Sequence, residues 1–507
     1  LTPSPSPFRR GARGEAPRQH DKISLAMRFL TAFFLLLLAA SCRVAAPADP
    51  TASPAVPKAF NQAANTSDSL SAGSLPWRQF FRDSALVGLI DTALRQNLDL
   101  RVALTRVETF QAQYLARRGA LFPTVSATGT GALDRYGEYT LNGVGNYDTN
   151  FSGNTVGNRR IPGPLVPDLF VGLRSSWEVD IWGKLRSRRK AAYLRVLGSE
   201  QGRNLVITNV VADVARAYYE LLTLDSQLAT LERNARFQEE GLRLTKIQKL
   251  AGRVTELAVQ QFAAQALRTQ SLAFETRQRI VETETQLNQL LGRYPQPIRR
   301  SRLLPTQSLP AALAAGLPAS SLLRRPDVRQ AELELQANRA EVDAARAAFL
   351  PSLTLTPYVG LNAFRTSLLL DPGSVVFGAV GGLAGPILNR AQYRADLRQA
   401  IASNYESYYR YQQALQTGFR EVVVGLKGLE NYRAAAELRA REVDQLRKAV
   451  ATSNELFVAG YASYLEIITA QRSVLEAELS LADARQAQLL QSVNLYRALG
   501  GGWRTAD

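Results

Sequence analysis

Histidine, cysteine and methionine are almost missing from this sequence of 507 residues, which holds one of each. His20, Met27 and Cys42 all lie near its beginning. Read from Met27, the chain keeps no histidine and a single thiol. That removes the commonest general base, the commonest metal ligand and any disulfide framework. Serine–histidine, cysteine–histidine and zinc chemistry are excluded together, and only a carboxylate-dependent enzyme remains as a catalytic reading. No metal and no cofactor are expected. Beyond the leader no run of about 18 apolar residues occurs, so no transmembrane helix is expected in the body. No glycine-rich phosphate loop is present, so the chain is not expected to hydrolyse a nucleotide.

What is present is the composition of a folded protein, 46% hydrophobic and 21% charged. The formal charge is +17. Six Lys/Arg against two Asp/Glu before Cys42 supply +4 of it. The remainder is scattered as Glu, Arg and Lys with no basic block. Such a pattern reads as solvated helix faces, and no nucleic-acid partner is expected.

Met27, Arg28, Phe29 and Leu30 open a short positive segment, and Phe33 to Ala40 form an apolar core too short to span a bilayer. Ala39, Ala40 and Ser41 then lead into Cys42. Small residues after such a core mark a secretory signal. This one resembles a bacterial lipoprotein signal, which implies that Cys42 carries a diacylglyceryl group and becomes the new N-terminus. Ala39 departs slightly from the usual Leu. Arg43 stands where an inner-membrane retention signal usually has Asp, which favours the outer membrane. An ordinary signal peptide with an incidental cysteine is the alternative. The expected organisation is an upstream segment and signal peptide over 1–41 and a lipid-anchored flexible tether, rich in Ala, Pro, Ser and Thr, over 42–74.

The body is one plan written twice. A shift of 228 positions lays Leu94–Thr128 on Leu322–Thr356 without a gap. Asp99 then meets Asp327, Arg101 meets Arg329, Arg118 meets Arg346 and Pro123 meets Pro351. A shift of 208 lays Ala251-Gly252 on Ala459-Gly460 and Leu291-Gly292 on Leu499-Gly500. Shared Pro and Gly punctuation marks shared turns and not merely shared helix composition. The first repeat is placed at 75–294, a Pro-rich connector at 295–325 and the second repeat at 326–507.

Each repeat opens with a helix, Asp83 to Gly119 and about Pro326 to Phe349, and a proline ends it. An alternating strand follows. Thr124, Ser126, Thr128 and Thr130 face one way, Val125 and Ala127 the other; Ser352, Thr354 and Thr356 oppose Leu353 and Leu355. A glycine-rich loop comes next, long in the first repeat (about 132–168) and short in the second (about 361–373). The returning strand, Val171 to Ile181, sets Val171, Leu173, Trp177, Val179 and Ile181 against Arg174, Ser176, Glu178 and Asp180. Such alternation suits a barrel with an apolar exterior and a wet lumen, for which Arg174, Glu178 and Asp180 are lumen candidates. A soluble sheet with one buried face is the alternative. Four strands do not close a barrel, and a bilayer forbids open edges, so strands in lipid would need several chains.

Two long stretches lack proline, from Lys184 to Pro295 and from Ile387 onward. Each is interrupted once, at Ala251-Gly252 and Ala459-Gly460. Val210, Val214, Ala217, Leu221, Leu224, Leu228, Leu231 and Ala235 alternate steps of four and three, as do Leu475, Leu479, Ala482, Gln486, Leu489, Val493 and Tyr496. Period 3.5 predicts long helices packed side by side.

Trp77-Arg78-Gln79-Phe80-Phe81-Arg82-Asp83, followed by Leu86, Leu89, Ile90, Ala93, Leu94, Asn97, Leu98 and Asp99, resembles the opening of TolC-like outer-membrane efflux proteins. More narrowly it resembles their lipoprotein branch, the NodT- and OprM-like factors. Trp177-Glu178-Val179-Asp180-Ile181-Trp182-Gly183 is similar to that family's second-strand signature, and the likeness covers about 70–503. It implies a mainly α fold with a small membrane β part. Duplicated antiparallel helical hairpins would build an α-barrel, and four strands per chain would contribute to a trimeric twelve-stranded barrel. It further implies a homotrimer in the outer membrane of a Gram-negative bacterium. A periplasmic membrane-fusion adaptor and an inner-membrane transporter, expected to be of the RND type, would be its partners, and outer-membrane lipid would surround it. The adaptor would engage the helix turns Gly252-Arg253-Val254-Thr255 and Gly460-Tyr461-Ala462-Ser463. Glu466, just past the second turn, is the candidate for an acidic tunnel gate, although Thr469 and Ala258 stand where further acids are often found. The implied function is a passive duct for small molecules in a tripartite efflux system. A non-conducting envelope lipoprotein, a duct for type I protein secretion and a carboxylate enzyme are the competing readings.

Overall fold

In a computed structural model of the chain, the described residues are 75–504 apart from 152, 154–156, 158–159, 164, 302–318, 387 and 389. Cys42, the signal segment and the tether lie outside them. After a short helix α1 (Trp77–Phe80) come α2 (Ser84–Gln96), α3 (Leu98–Gly119), strand β1 (Thr124–Asp134), α4 (Leu141–Phe151) and β2 (Val166–Val179). The hairpin α5 (Lys184–Leu250) and α6 (Glu256–Leu290) completes the first repeat. The second runs α7 (Pro326–Ala347), β3 (Ser352–Ala363), β4 (Val375–Ala384), α8 (Ala391–Ala459) and α9 (Tyr464–Ala498). Among the described residues no helix is long and apolar enough to cross a membrane, which says nothing of a β-barrel.

The opening helix expected over 83–119 is broken in two at Asn97. Its side-chain oxygen accepts from Leu100 N at 2.9 Å, and its amide donates to the Leu290 carbonyl at 2.8 Å. Asparagine competes with the helix for its own backbone groups, and here that local bond is fixed by a contact 193 residues away. Asp83 caps α2 in the same manner, accepting from Ala85 N at 2.8 Å. The returning strand also differs from expectation, covering Val166–Val179 in place of Val171 to Ile181.

The four strands form one antiparallel sheet in the order β1-β2-β3-β4. Each strand continues one helix: α3 leads into β1, β2 into α5, α7 into β3 and β4 into α8. Helix α5 packs on α3, α6, α7 and α9, and α8 packs on α7 and α9. With 67 residues, α5 is about 100 Å long. Its heptad positions are inside: Val210, Val214, Ala217, Leu221, Leu224, Leu231 and Ala235 are all buried.

The main core sits at mid-length, where both repeats meet. Trp77, Phe80 and Phe81 join Tyr218 and Tyr219 of α5, Leu287 of α6 and Val493 and Tyr496 of α9. Phe80 stacks on Tyr496 at 4.0 Å, and the Tyr496 hydroxyl donates to the Leu75 carbonyl at 2.7 Å. The opening aromatic segment thus clamps the end of the second repeat onto the start of the first.

Four helix ends close in one way. Gly252, Gly292, Gly460 and Gly500 all take positive φ. At the hairpin tips Arg253 N donates to Gln248 O at 2.9 Å and Tyr461 N to Leu456 O at 2.8 Å, the six-to-one bond of a Schellman cap. An added Cβ at Gly252 or Gly460 meets nothing within 4 Å. Alanine there should therefore cost only the left-handed backbone penalty, about 1–2 kcal/mol. Urea unfolding of Gly460→Ala checks this, and a loss of less than about 0.5 kcal/mol would contradict it.

Candidate functional site

The sheet has one greasy and one polar face, set by the pleat. Cross-strand register places Ala127, Leu173 and Val359 in one row, with Phe377 paired to Val359. Leu173, Val359 and Phe377 are 48%, 49% and 80% exposed in the single chain, and Val125, Leu133, Val171, Val375 and Leu383 extend the same face. Exposed apolar side chains in such an unbroken band fit hydrocarbon and not water. The opposite face carries Thr124, Ser126, Thr128, Arg174, Ser176, Glu178, Thr354, Thr356 and Tyr358, with Val376 and Val380 as its apolar members on β4. Phe170 lies on this polar face yet is buried, capped by the Arg174 guanidinium 4.6 Å above its ring. Gly172 and Gly360 make room for that ring, since a Cβ on either would come within about 3 Å of it. The outer strands β1 and β4 have open edges in the single chain.

Of the three lumen candidates, Arg174 and Glu178 sit on the polar face of β2. Asp180 lies past the end of the strand. Its two carboxylate oxygens accept from Leu185 N and Arg186 N, both at 2.9 Å, and it pairs with Arg186. Asp180 thereby satisfies the first turn of α5, whose N-cap, Gly183, has no side chain to do so. Glu178 is paired with Lys184 across the same corner. Trp182 donates to the Pro351 carbonyl at 2.7 Å and Trp177 to the Leu121 carbonyl at 3.1 Å, so the aromatic signature bolts strands to helices.

The two hairpin turns lie at the far ends of their helical pairs, remote from the sheet in sequence and built alike. Val254 and Ala462 are half-buried, whereas Arg253, Tyr461 and their glycines are exposed. Thr255 accepts from Ala258 N at 3.4 Å, and Lys249 pairs with Glu256 across the first turn. In the second turn Glu466 closes a capping box with Ser463: Ser463 N donates to its carboxylate at 2.9 Å. The Ser463 hydroxyl bond holds the Glu466 carboxyl below its usual range. The signal for this role was in the sequence, Ser463-x-x-Glu466 ahead of a helix. The cap is fully present above the ordinary glutamate value of 4.5 and is lost as pH falls from there through the lower folded value. Relative to the intrinsic exchange rate at each pH, protection of the Ser463 and Leu465 amides should therefore fall below about pH 4.5 in the native protein. Glu466→Gln should remove that pH dependence; a Gln variant with the same acid-induced loss of protection would contradict it.

Periodicity and motif gave no sign of the ion networks at mid-length. Arg325, 4% exposed, donates to Asp327 at 2.8 Å, to Glu421 at 2.8 Å and to the Ala498 carbonyl at 2.7 Å. Burial alone would pull its guanidinium pKa down, but the Asp327 and Glu421 carboxylates outweigh this and push it up. Arg497 bonds the other oxygen of Glu421 at 2.8 Å. Arg300 bridges Asp225 of α5 and Glu284 of α6. These residues are far apart in sequence and lie on faces that look like solvated helix.

A duplicated bundle of long helices running into a two-faced, open-edged sheet is the wall segment of a membrane channel with a helical extension. The family model for outer membrane efflux proteins matches residues 89–293 and again 317–501. The toluene efflux pump outer membrane protein TtgC of Pseudomonas putida is 33% identical over 442 residues, 86% of each chain. The probable outer membrane lipoprotein SilC of Salmonella typhimurium is 27% identical, over 84% of this chain and 88% of its own. The crystal structure of the transmembrane channel CusC superposes with a TM-score of 0.75 at 27% identity, covering 91% of this chain and 99% of that one. The chain belongs to the outer membrane efflux protein family and is an outer-membrane channel component of an efflux pump.

Proposed function

We propose that three copies of this chain form a passive duct for small molecules, anchored in the outer membrane by lipid on Cys42 and reaching across the periplasm. The two-faced sheet with open edges at β1 and β4 is the observation that supports it most strongly. In a bilayer those edges need partners. Edge-to-edge pairing of three four-stranded sheets gives a twelve-stranded barrel, lipid outside, Arg174 and Glu178 toward the lumen and Asp180 at its base. Each repeat supplies one sector, a strand hairpin and a long helical pair, with 295–325 as the connector between them. The turns Gly252 to Thr255 and Gly460 to Ser463 would dock on a periplasmic adaptor, which links the duct to an inner-membrane transporter of the RND type. Energy comes from that pump. The names of relatives such as the toluene pump protein favour small organic cargo over secreted protein.

Glu466 stays a gate candidate beside its capping role, since three such carboxylates near one axis repel one another unless cations or water relieve them. Planar-bilayer recordings test both ideas. The purified protein, or a variant loosened at the helix tips, should give discrete single-channel currents. Zero conductance under both conditions would leave a non-conducting tether. Glu466→Gln with unchanged conductance and cation dependence would remove the gate.

A further inference from the structure

On the polar face of the sheet, where strands turn into helices, lies a cavity of about 420 Å³. Glu178, Ser352 and Ala384 of that face form its upper wall, and Trp182 and Tyr393 bound it. A second hollow of about 320 Å³ runs on from it between α5, α7 and α8, and the two share Arg188, Ala348, Tyr393 and Asp396. Helix α7 ends between α5 and α8 here, and the gap above its end is the cavity.

The charges around this groove mostly cancel in place. Lys184 pairs with Glu178. Arg195 is held by Glu334 and Glu341 and also donates to Asn338 at 3.0 Å. Asp180 is satisfied by the start of α5 and by Arg186. Two groups are left over. Among the described residues Arg188 makes no ion pair, and Asp396 has only the Gln392 amide, at 2.7 Å. One half-buried cation from α5 and one exposed anion from α8 thus remain on a groove whose other walls mix these paired charges and polar groups with apolar and aromatic side chains.

We propose that this groove is a transit site for small zwitterionic organic molecules, Arg188 taking the anionic end, Asp396 the cationic end, and Trp182 and Tyr393 the apolar body. A bare metal ion would not fill the volume, and a singly charged molecule would leave one of the two side chains unmatched. A duct needs such a site to be weak, so that cargo enters and leaves, which places the affinity in the millimolar range. The inference rests on the duct reading, which puts the polar face on the lumen.

Trp182 reports on the site directly. The detergent-solubilised full-length protein is titrated with L-phenylalanine, 2-phenylethylamine and 3-phenylpropionate while indole fluorescence is followed, and Trp182→Phe identifies the signal. Phenylalanine should give a saturable change and bind about tenfold tighter than either singly charged analogue. Arg188→Gln and Asp396→Asn should each reduce it to the level of the analogues. The swapped pair R188D/D396R, with unchanged circular dichroism, should restore it. Equal affinity for all three probes, a change that never saturates, or variants that bind like the parent would each overturn the proposal. Because binding is read without transport, a failed titration leaves the duct standing, whereas saturable binding in a protein that never conducts removes the duct and keeps the site.

Discussion

Arg325→Ala should destabilise the protein by about 3 kcal/mol, the low end of what removing one partner of a buried ion pair costs. The guanidinium is 4% exposed and joins three elements: it lies just before α7, bonds Glu421 of α8 and reaches the last carbonyl of α9. Alanine leaves the partly exposed Asp327 carboxylate and the Ala498 carbonyl without their donor and opens a gap where the buried guanidinium stood. The cost stays at the low end because Arg497 still neutralises Glu421. Arg325→Lys should recover only part of the loss, since an ammonium keeps the charge but lacks the planar fork that reaches several acceptors. Guanidinium-induced unfolding followed by helical circular dichroism measures both. A loss of less than about 1 kcal/mol would show that water replaces the network.

The second large effect is expected in the membrane. Leu173→Arg puts a charge at the middle of β2 on the apolar face, in the row of Ala127 and Val359. A charge at the midplane of a barrel's lipid face costs about 2–4 kcal/mol, and three chains repeat it. Yield of protein folded in the outer membrane should fall sharply. Thr128→Arg is the matched control. It lies half-buried on the polar face, opposite Gly172, and a flexible arginine there extends past the Phe170 ring toward the watery side. It should insert normally and alter only conductance. If Leu173→Arg inserts as well as Thr128→Arg, the apolar face does not meet lipid; if only Thr128→Arg fails, the faces have been assigned the wrong way round.

Much of this architecture was legible because it is periodic. Heptad steps in Val210 to Ala235 named the buried stripe of α5. Strict alternation at Thr124 to Thr130 and Ser352 to Thr356 named the two faces of the sheet. The matched Pro and Gly residues named the turns. Asn97 was harder to read. Its helix-breaking side chain is common inside helices, and only the Leu290 carbonyl brought up beside it turns a tolerated residue into a break. Asp180 was misplaced on the strand for a similar reason. Alternation carries no marker of where a strand ends, and the carboxylate was needed by the α5 amides.

The sequence by itself determined the duplication, the helix and strand periods and the glycine turns, because each follows from spacing along one chain. Tertiary structure alone decided which charges matter. Arg325, Glu421 and Arg497 lie up to 172 positions apart (Arg325 to Arg497), and Arg188 and Asp396 are separated by 208. In the sequence each is one more charge on a helix. Only folding gathers the first group into one network around the buried Arg325 and lines one groove with the second pair. The worth of a charge depends on the dielectric and the partners around it, and neither is written in local spacing.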